Sequence, residues 1–169
     1  MTYPSSPVGP VLTTDRLFLR SWTPAEARAV REGRRYQEWA EDFPAEGDRV
    51  IAGLLDQHAD WFGACGHRLV VERDGGLVVG SLGLFWPPRA GVVEIGYGVV
   101  PSRRGRGYAP EATRALVGLA LAVPEVHTVR ARVEGANPAS VRVLERVGFV
   151  HRSTEDGTAT YEATDDGCR

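Results

Sequence analysis

The spacing of apolar residues changes along the chain, and each change predicts an element. Val11 to Arg20 reads as a strand carrying Leu12, Leu17 and Leu19, irregular before Asp15. Thr23-Pro24-Ala25-Glu26 is a helix start: Thr23 can cap, Pro24 suits the first turn and Glu26 stands three residues after the cap, so a helix to about Gly33 follows. Residues 34–47 have no clear period. Tyr36, Trp39 and Phe43 stand there among Glu38, Glu41, Asp42 and Glu46, and read either as core aromatics with a solvated acidic face, the reading favoured by composition, or as residues that shape a pocket. Asp48 reads as the cap of a helix in which Val50, Ile51, Leu54, Leu55, His58, Trp61 and Phe62 recur at helical spacing, His58 being a structural member of that stripe. His67 to Glu72 and Leu77 to Phe85 are strand-like and joined by a turn rich in glycine, Arg73 to Gly76, as a hairpin requires. Trp86-Pro87-Pro88-Arg89-Ala90-Gly91 is expected to break the sheet.

Glu94 to Ala122 is the most informative stretch. Val92, Val93, Ile95, Tyr97, Val99 and Val100 form a β-branched and aromatic run that Pro101 ends. Arg104-Gly105-Arg106-Gly107-Tyr108-Ala109 follows at once: two glycines can take positive φ, and consecutive N–H groups can then share one concavity. Pro110 fits the first turn of the helix that comes next, whose unpaired N–H groups carry the positive end of its dipole. Phosphate oxygens are stabilised at such a terminus, and Arg103, Arg104 and Arg106 suit a ligand with several phosphates. A solvated glycine–arginine turn is the plain alternative, which the position between strand and helix argues against. Ala112 to Leu121 is apolar nearly all round and implies a buried helix. Val126 to Val133 alternates as a strand, Asn137-Pro138 opens a last helix with Val141, Leu144 and Val147 as its core stripe, and Gly148 ends it. Phe149 begins a strand that turns at Asp156-Gly157 into Thr158 to Thr164.

At 169 residues the chain is one domain's worth. No apolar run approaches the ~18 residues of a membrane span, and the first ten residues lack the basic start and apolar core of a secretory signal. A net charge of −2 argues against a general nucleic-acid binder. Two cysteines, Cys65 and Cys168, are far apart without metal-ligand spacing, so no metal site is expected and a cytoplasmic location is. All 20 basic residues are arginine, which removes lysine nucleophiles.

Arg104, Gly107 and Ala109 fall on the Gln/Arg-x-x-Gly-x-Gly/Ala phosphate loop of the GNAT acetyltransferases, and Asn137 to Phe149 falls on their late helix ending in Gly-Phe. The chain resembles that family over about residues 11–164, and Thr14 to Trp22 looks like the first strand of the branch that includes the ribosomal-protein N-terminal acetyltransferases. The resemblance implies an α/β GNAT fold: a mixed, mostly antiparallel twisted sheet of about six to seven strands flanked by about four helices. It implies one domain over 11–164, between a flexible arm at 1–10 and a tail at 165–169. The strands carrying Glu94 and Val129 are expected to splay apart, with acetyl-CoA in the opening.

The activity so implied is acetyl transfer from acetyl-CoA to a primary amine, either a protein N-terminal α-amine or a small-molecule amine, by direct attack in a ternary complex without a metal. The amine acceptor is the expected partner, with neither nucleic acid nor membrane; a homodimer is compatible with the resemblance. Val99, Arg104, Gly105, Arg106, Gly107, Tyr108, Ala109 and Asn137 become the expected acetyl-CoA contacts, Asn137 also being a strong N-cap. Glu94 is the candidate general base, with a solvent-facing strand position as its alternative. Many relatives place a general-acid tyrosine where this chain has Leu144. Ser140 is left for that role, or simply as a first-turn helix residue. A non-catalytic acyl-CoA-binding domain is the alternative from another class.

Overall fold

The computed structural model describes residues 10–166; the arm expected over 1–10, apart from Pro10, lies outside them, as do Cys168 and the end of the tail. Eight strands form one sheet in the order β1-β2-β3-β4-β5-β6-β8-β7, antiparallel throughout except where β5 and β6 run parallel. The strands are β1 (Leu12–Thr13), β2 (Leu17–Ser21), β3 (His67–Glu72), β4 (Val78–Arg89), β5 (Val92–Val99), β6 (Thr128–Glu134), β7 (Val150–Glu155) and β8 (Thr158–Thr164). The helices are α1 (Pro24–Arg31), α2 (Glu46–Leu55), α3 (Tyr108–Leu121) and α4 (Pro138–Val147). The mixed sheet with four helices agrees with the α/β arrangement that the resemblance implies, and no described helix is long and apolar enough to cross a membrane.

Four expectations need correction. The strand expected over Val11 to Arg20 is two: Thr14 Oγ1 accepts the Leu17 N–H at 3.1 Å, closing a turn that pairs β1 with β2 and raises the count to eight. Asp48 is not the cap of α2 but its third residue, accepting the Ala45 N–H at 2.8 Å. The helix expected to reach Phe62 stops at Leu55; a separate 3₁₀ turn, Ala59–Phe62, follows, in which the Trp61 indole donates to the Trp86 carbonyl at 2.9 Å and His58 stacks on Trp61. Finally, Pro87 and Pro88 do not break the sheet. The register between β4 and β5 pauses from Phe85 to Arg89, so neither proline has to donate, and Ala90 and Gly91, both at positive φ, close the hairpin.

Other local readings hold. Thr23 and Glu26 form a reciprocal capping box on α1, an arrangement typically contributing about 1 kcal/mol. Trp39 and Phe43 are buried in the core while Glu38 and Glu41 are exposed. Gly148 ends α4 at φ 106°.

Register decides which side chains share a face. Opposite Ser81 and Gly83 on β4 stand Gly98 and Gly96 on β5, and these look toward α2 and the 3₁₀ turn. Opposite Leu82 and Leu84 stand Tyr97 and Ile95, which look toward α3 and α4. Strands β5 and β6 pair only from Val92 to Glu94. Beyond Glu94 they part, leaving one edge of β5 from Ile95 to Val99 without a strand neighbour.

Candidate active site

Two cavities meet at this parting. The first, of about 470 Å³, lies between α2 and the faces of β4 and β5 that carry Ser81, Gly96 and Gly98. The second, of about 510 Å³, lies between the turn after β5 and the start of α4. Tyr97, Gly98, Val99 and Arg104 line both.

The second cavity is the phosphate-binding candidate. Its wall includes Gly105, Gly107 and Ala109, and Gly107 caps α3 in the left-handed region at φ 80°. Gly105 has φ 77°, so both glycines adopt the conformation their side-chain-free backbone allows. The first amides of α3 have no partner within the helix and carry its positive dipole end. The turn is braced from outside. Arg16 donates to Glu111 through Nε at 2.8 Å and to the Arg106 carbonyl at 2.7 Å, while Glu72 accepts the Tyr108 hydroxyl at 2.7 Å and Arg103 Nε at 3.2 Å. The hydrogen bond to Glu72, then burial, raises the Tyr108 pKa, so the phenol stays a donor. Glu111 is partly buried, which raises its pKa, but hydrogen bonds from Thr14 and Arg16 outweigh that and keep it a carboxylate.

The expected acetyl-CoA contacts divide. Val99, Arg104, Gly105, Gly107, Tyr108, Ala109 and Asn137 line this cavity; Arg106 does not, its guanidinium lying 3.8 Å from Glu72. Arg104 Nε donates to the Val99 carbonyl at 3.1 Å. Asn137 caps α4, accepting the Ser140 N–H at 3.2 Å, and lines the cavity as well. Arg142 and Arg146, which the sequence reading passed over, add two cations from α4. They stand four apart, off the apolar stripe of Val141, Leu144 and Val147, and that spacing was the available signal. Four arginines, two left-handed glycines and a free helix terminus together suit a polyphosphate ligand.

The two candidate proton carriers are not neighbours. Glu94 shares the face of Gly96 but lines neither cavity; both its oxygens accept from Arg132, at 3.0 and 2.7 Å. That bond raises the proton affinity of Arg132. Ser140 lines the second cavity at the first turn of α4, and its carbonyl accepts the Tyr97 hydroxyl at 3.1 Å. Leu144 is fully buried in the core. Tyr97, read from sequence only as a strand former, reaches both cavities, and burial pushes its pKa up to about 12.

Two groups in the first cavity were also missed as chemistry. Asp48 is 4% exposed; it accepts the Ser81 hydroxyl and the Ala45 N–H, and burial raises its pKa. His67 is 1% exposed against Trp61 and Phe85, its Nε2 has no partner, and burial lowers its pKa to about 4. Cys65, partly buried with a raised pKa, lines neither cavity.

A profile of the Acetyltransferase (GNAT) domain matches residues 16–150. The uncharacterized N-acetyltransferase YjdG of Bacillus subtilis (strain 168) is 36% identical over 90 residues, covering 52% of this chain and 54% of that protein. The chain thus spans about half the length of the curated relative it matches. Among solved structures, the acetyltransferase (GNAT family) from Bacillus anthracis superposes with a TM-score of 0.68 at 18% identity, over 92% of this chain and 99% of that one. RimL, a ribosomal L7/L12 alpha-N-protein acetyltransferase, superposes with a TM-score of 0.63 at 17% identity, over 92% and 94%. At such identities the likeness is one of fold, and it does not single out the ribosomal-protein branch.

Proposed function

Since the chain belongs to the GNAT acetyltransferase family, we propose that it moves an acetyl group from acetyl-CoA to a primary amine by direct attack in a ternary complex. The observation that carries this is the junction of two cavities at the parted edge of β5, one lined by phosphate-binding features and one by a buried carboxylate. The pyrophosphate would lie on the amides of Gly105 to Ala109, with Arg103, Arg104, Arg142 and Arg146 around it. The unpaired edge of β5 near Val99 would meet the acetyl carbonyl, where a fixed N–H stabilises the charge that develops on oxygen.

Direct transfer is favoured because the sequence has no lysine and Cys65 lies outside both cavities, which argues against an acetyl group carried on either. The departing thiolate would meet Tyr97 and Ser140, of which Tyr97 is the donor held protonated. For the acceptor we favour an α-amine such as a protein N-terminus. Deprotonating an amine of pKa ~8 at pH 7 costs about 1.4 kcal/mol, against about 4.6 for a lysine side chain. A carboxylate base is better matched to the first.

Calorimetric titration with acetyl-CoA, followed by coenzyme A release across a panel of amines, tests the reading. Binding with turnover on at least one amine is expected. Binding with no turnover on any would instead fit a non-catalytic acyl-CoA-binding domain, and no binding would refute both.

A further inference from the structure

We propose that Asp48 is the proton acceptor of this reaction and that the cavity it borders takes a primary amine carried on an apolar body, an assignment that rests on the acetyl-transfer reading above. Asp48 stands in the first turn of α2, 4% exposed, on the wall of the first cavity. It accepts hydrogen bonds from Ala45 N–H through Oδ2 and from Ser81 through Oδ1. It forms no ion pair among the described residues, and Arg49, beside it in sequence, is exposed and offsets little of the effect of burial.

A buried carboxylate without a counterion is costly unless it takes up a proton or a cation comes to it, and an ammonium can supply either. Two carboxylate oxygens offer about four acceptor positions, so two hydrogen bonds leave room for an ammonium. The remainder of the wall says what the ammonium is attached to. Ile51, Leu82 and Val99 are apolar, and among the described residues the only other carboxylate lining the cavity is the exposed Glu46. A polyamine would need several anionic contacts; a single ammonium on an apolar body needs one. His67 on the same wall, with its unpartnered Nε2, is held neutral by burial and so does not repel that cation, while Arg104, the cation that also lines this cavity, donates its Nε to the Val99 carbonyl.

The step balances as follows. The carboxylate of Asp48 takes one proton from the ammonium, and the freed lone pair forms a C–N bond at the acetyl carbonyl carbon. The C–S bond breaks with its electron pair going to sulfur. The nitrogen sheds its second proton to the thiolate, giving the amide and the coenzyme A thiol, and Asp48 returns its proton to water.

Asp48→Asn keeps the shape and the acceptor for Ala45 while removing charge and basicity, and the probes are benzylamine and its neutral analogue benzyl alcohol. In calorimetry the wild-type protein should bind benzylamine roughly tenfold tighter than benzyl alcohol, and Asp48→Asn should erase that preference. With benzylamine as acceptor, turnover should fall by about 10²-fold or more in the variant at unchanged acetyl-CoA affinity. Equal wild-type affinity for the two probes, no wild-type turnover of benzylamine, or a loss under about tenfold overturns the proposal. If Asp48→Asn does not fold, the wild-type comparison of the two probes still decides, and Ser81→Ala, which leaves the carboxylate in place, should keep the preference. Failure of the wild-type protein to bind acetyl-CoA would instead remove the acetyl-transfer reading, because the benzylamine comparison needs no donor.

Discussion

His67 should make the fold sensitive to mild acid, and His67→Phe should remove that sensitivity. The imidazole sits 1% exposed between Trp61 and Phe85, with ring centroids 4.9 and 5.0 Å away, and its Nε2 has no partner. Burial lowers its pKa from 6.5 to about 4, the nearby His58 adding to the shift. The unfolded chain therefore binds a proton at a pH where the folded chain does not. Stability is whole near pH 8, falls as pH drops through 6.5, and levels off below about 4. A shift of this size corresponds to about 3.4 kcal/mol in full, of which about 2 kcal/mol is lost by pH 5. For a chain of this length that is roughly 4–8 °C in Tm. Asp48 works with the opposite sign: its raised pKa adds stability that is present below 3.8 and lost as pH rises through the folded value. It is common to both proteins and cancels in their difference. Phenylalanine keeps the aromatic packing, and any strain against Gly83, whose backbone lies under the ring, is independent of pH. Thermal melts of both proteins at pH 8 and pH 5 should show the variant gaining about 4–8 °C on the wild type between the two. An equal gap at both pH values would mean that His67 titrates normally in the folded chain.

Gly107→Val should weaken acetyl-CoA binding by about tenfold or more, because φ 80° is strained for a β-branched residue and its Cβ would stand 3.2 Å from the Arg16 guanidinium that braces the turn; unchanged affinity in calorimetry, with a native circular dichroism spectrum, would refute the phosphate cradle. Glu94→Gln, which breaks the bidentate pair with Arg132, should lower kcat by less than about tenfold, the pair being partly exposed and Glu94 outside both cavities. A larger fall at unchanged donor affinity would return the base to Glu94. Tyr97→Phe should lower kcat by roughly tenfold with little change in KM, since a thiol of pKa near 8.5 leaves tolerably unaided; full wild-type turnover would show that the thiolate needs no donor there.

What could be read in the chain was mostly local. The phosphate turn declares itself because glycine, arginine and proline at 104–110 each have a reason tied to their immediate neighbours, and the structure sets both glycines at positive φ. The Thr23–Glu26 box was legible for the same reason. Asp48 was legible only as a helix-start residue. What turns it into chemistry is Ser81, 33 positions away, which meets it only once β4 lies under α2. Glu94 shows the same limit: its partner Arg132 stands two positions past Arg130, its register neighbour on β6, and no pattern around residue 94 announces that pairing. Pro87 and Pro88 misled because a proline breaks a strand only where it must donate, and a pause in the register is invisible in sequence.

The alternation along β5 then explains why the two cavities meet where they do. On one face the strand carries Ile95 and Tyr97, which fill space toward α3 and α4; on the other it carries Gly96 and Gly98. Glycine within a strand is destabilising by roughly 0.5–1 kcal/mol each, so two in succession on one face call for a reason. Neither has the positive φ that would demand glycine. A Cβ at Gly96 would press to 3.2 Å from the Phe85 ring, whereas one at Gly98 would meet nothing within 4 Å and would project into the first cavity. Crowding therefore does not demand glycine at 98; a side chain there would only take space from the first cavity. In the proposed reaction, an amine held near Asp48 on that face would approach the unpaired edge of β5 at a point where Tyr97 and Val99, to either side, also border the second cavity. The strand is bulky toward α3 and α4 and bare toward α2, and that asymmetry, more than any single side chain, would let nitrogen and thioester share one opening.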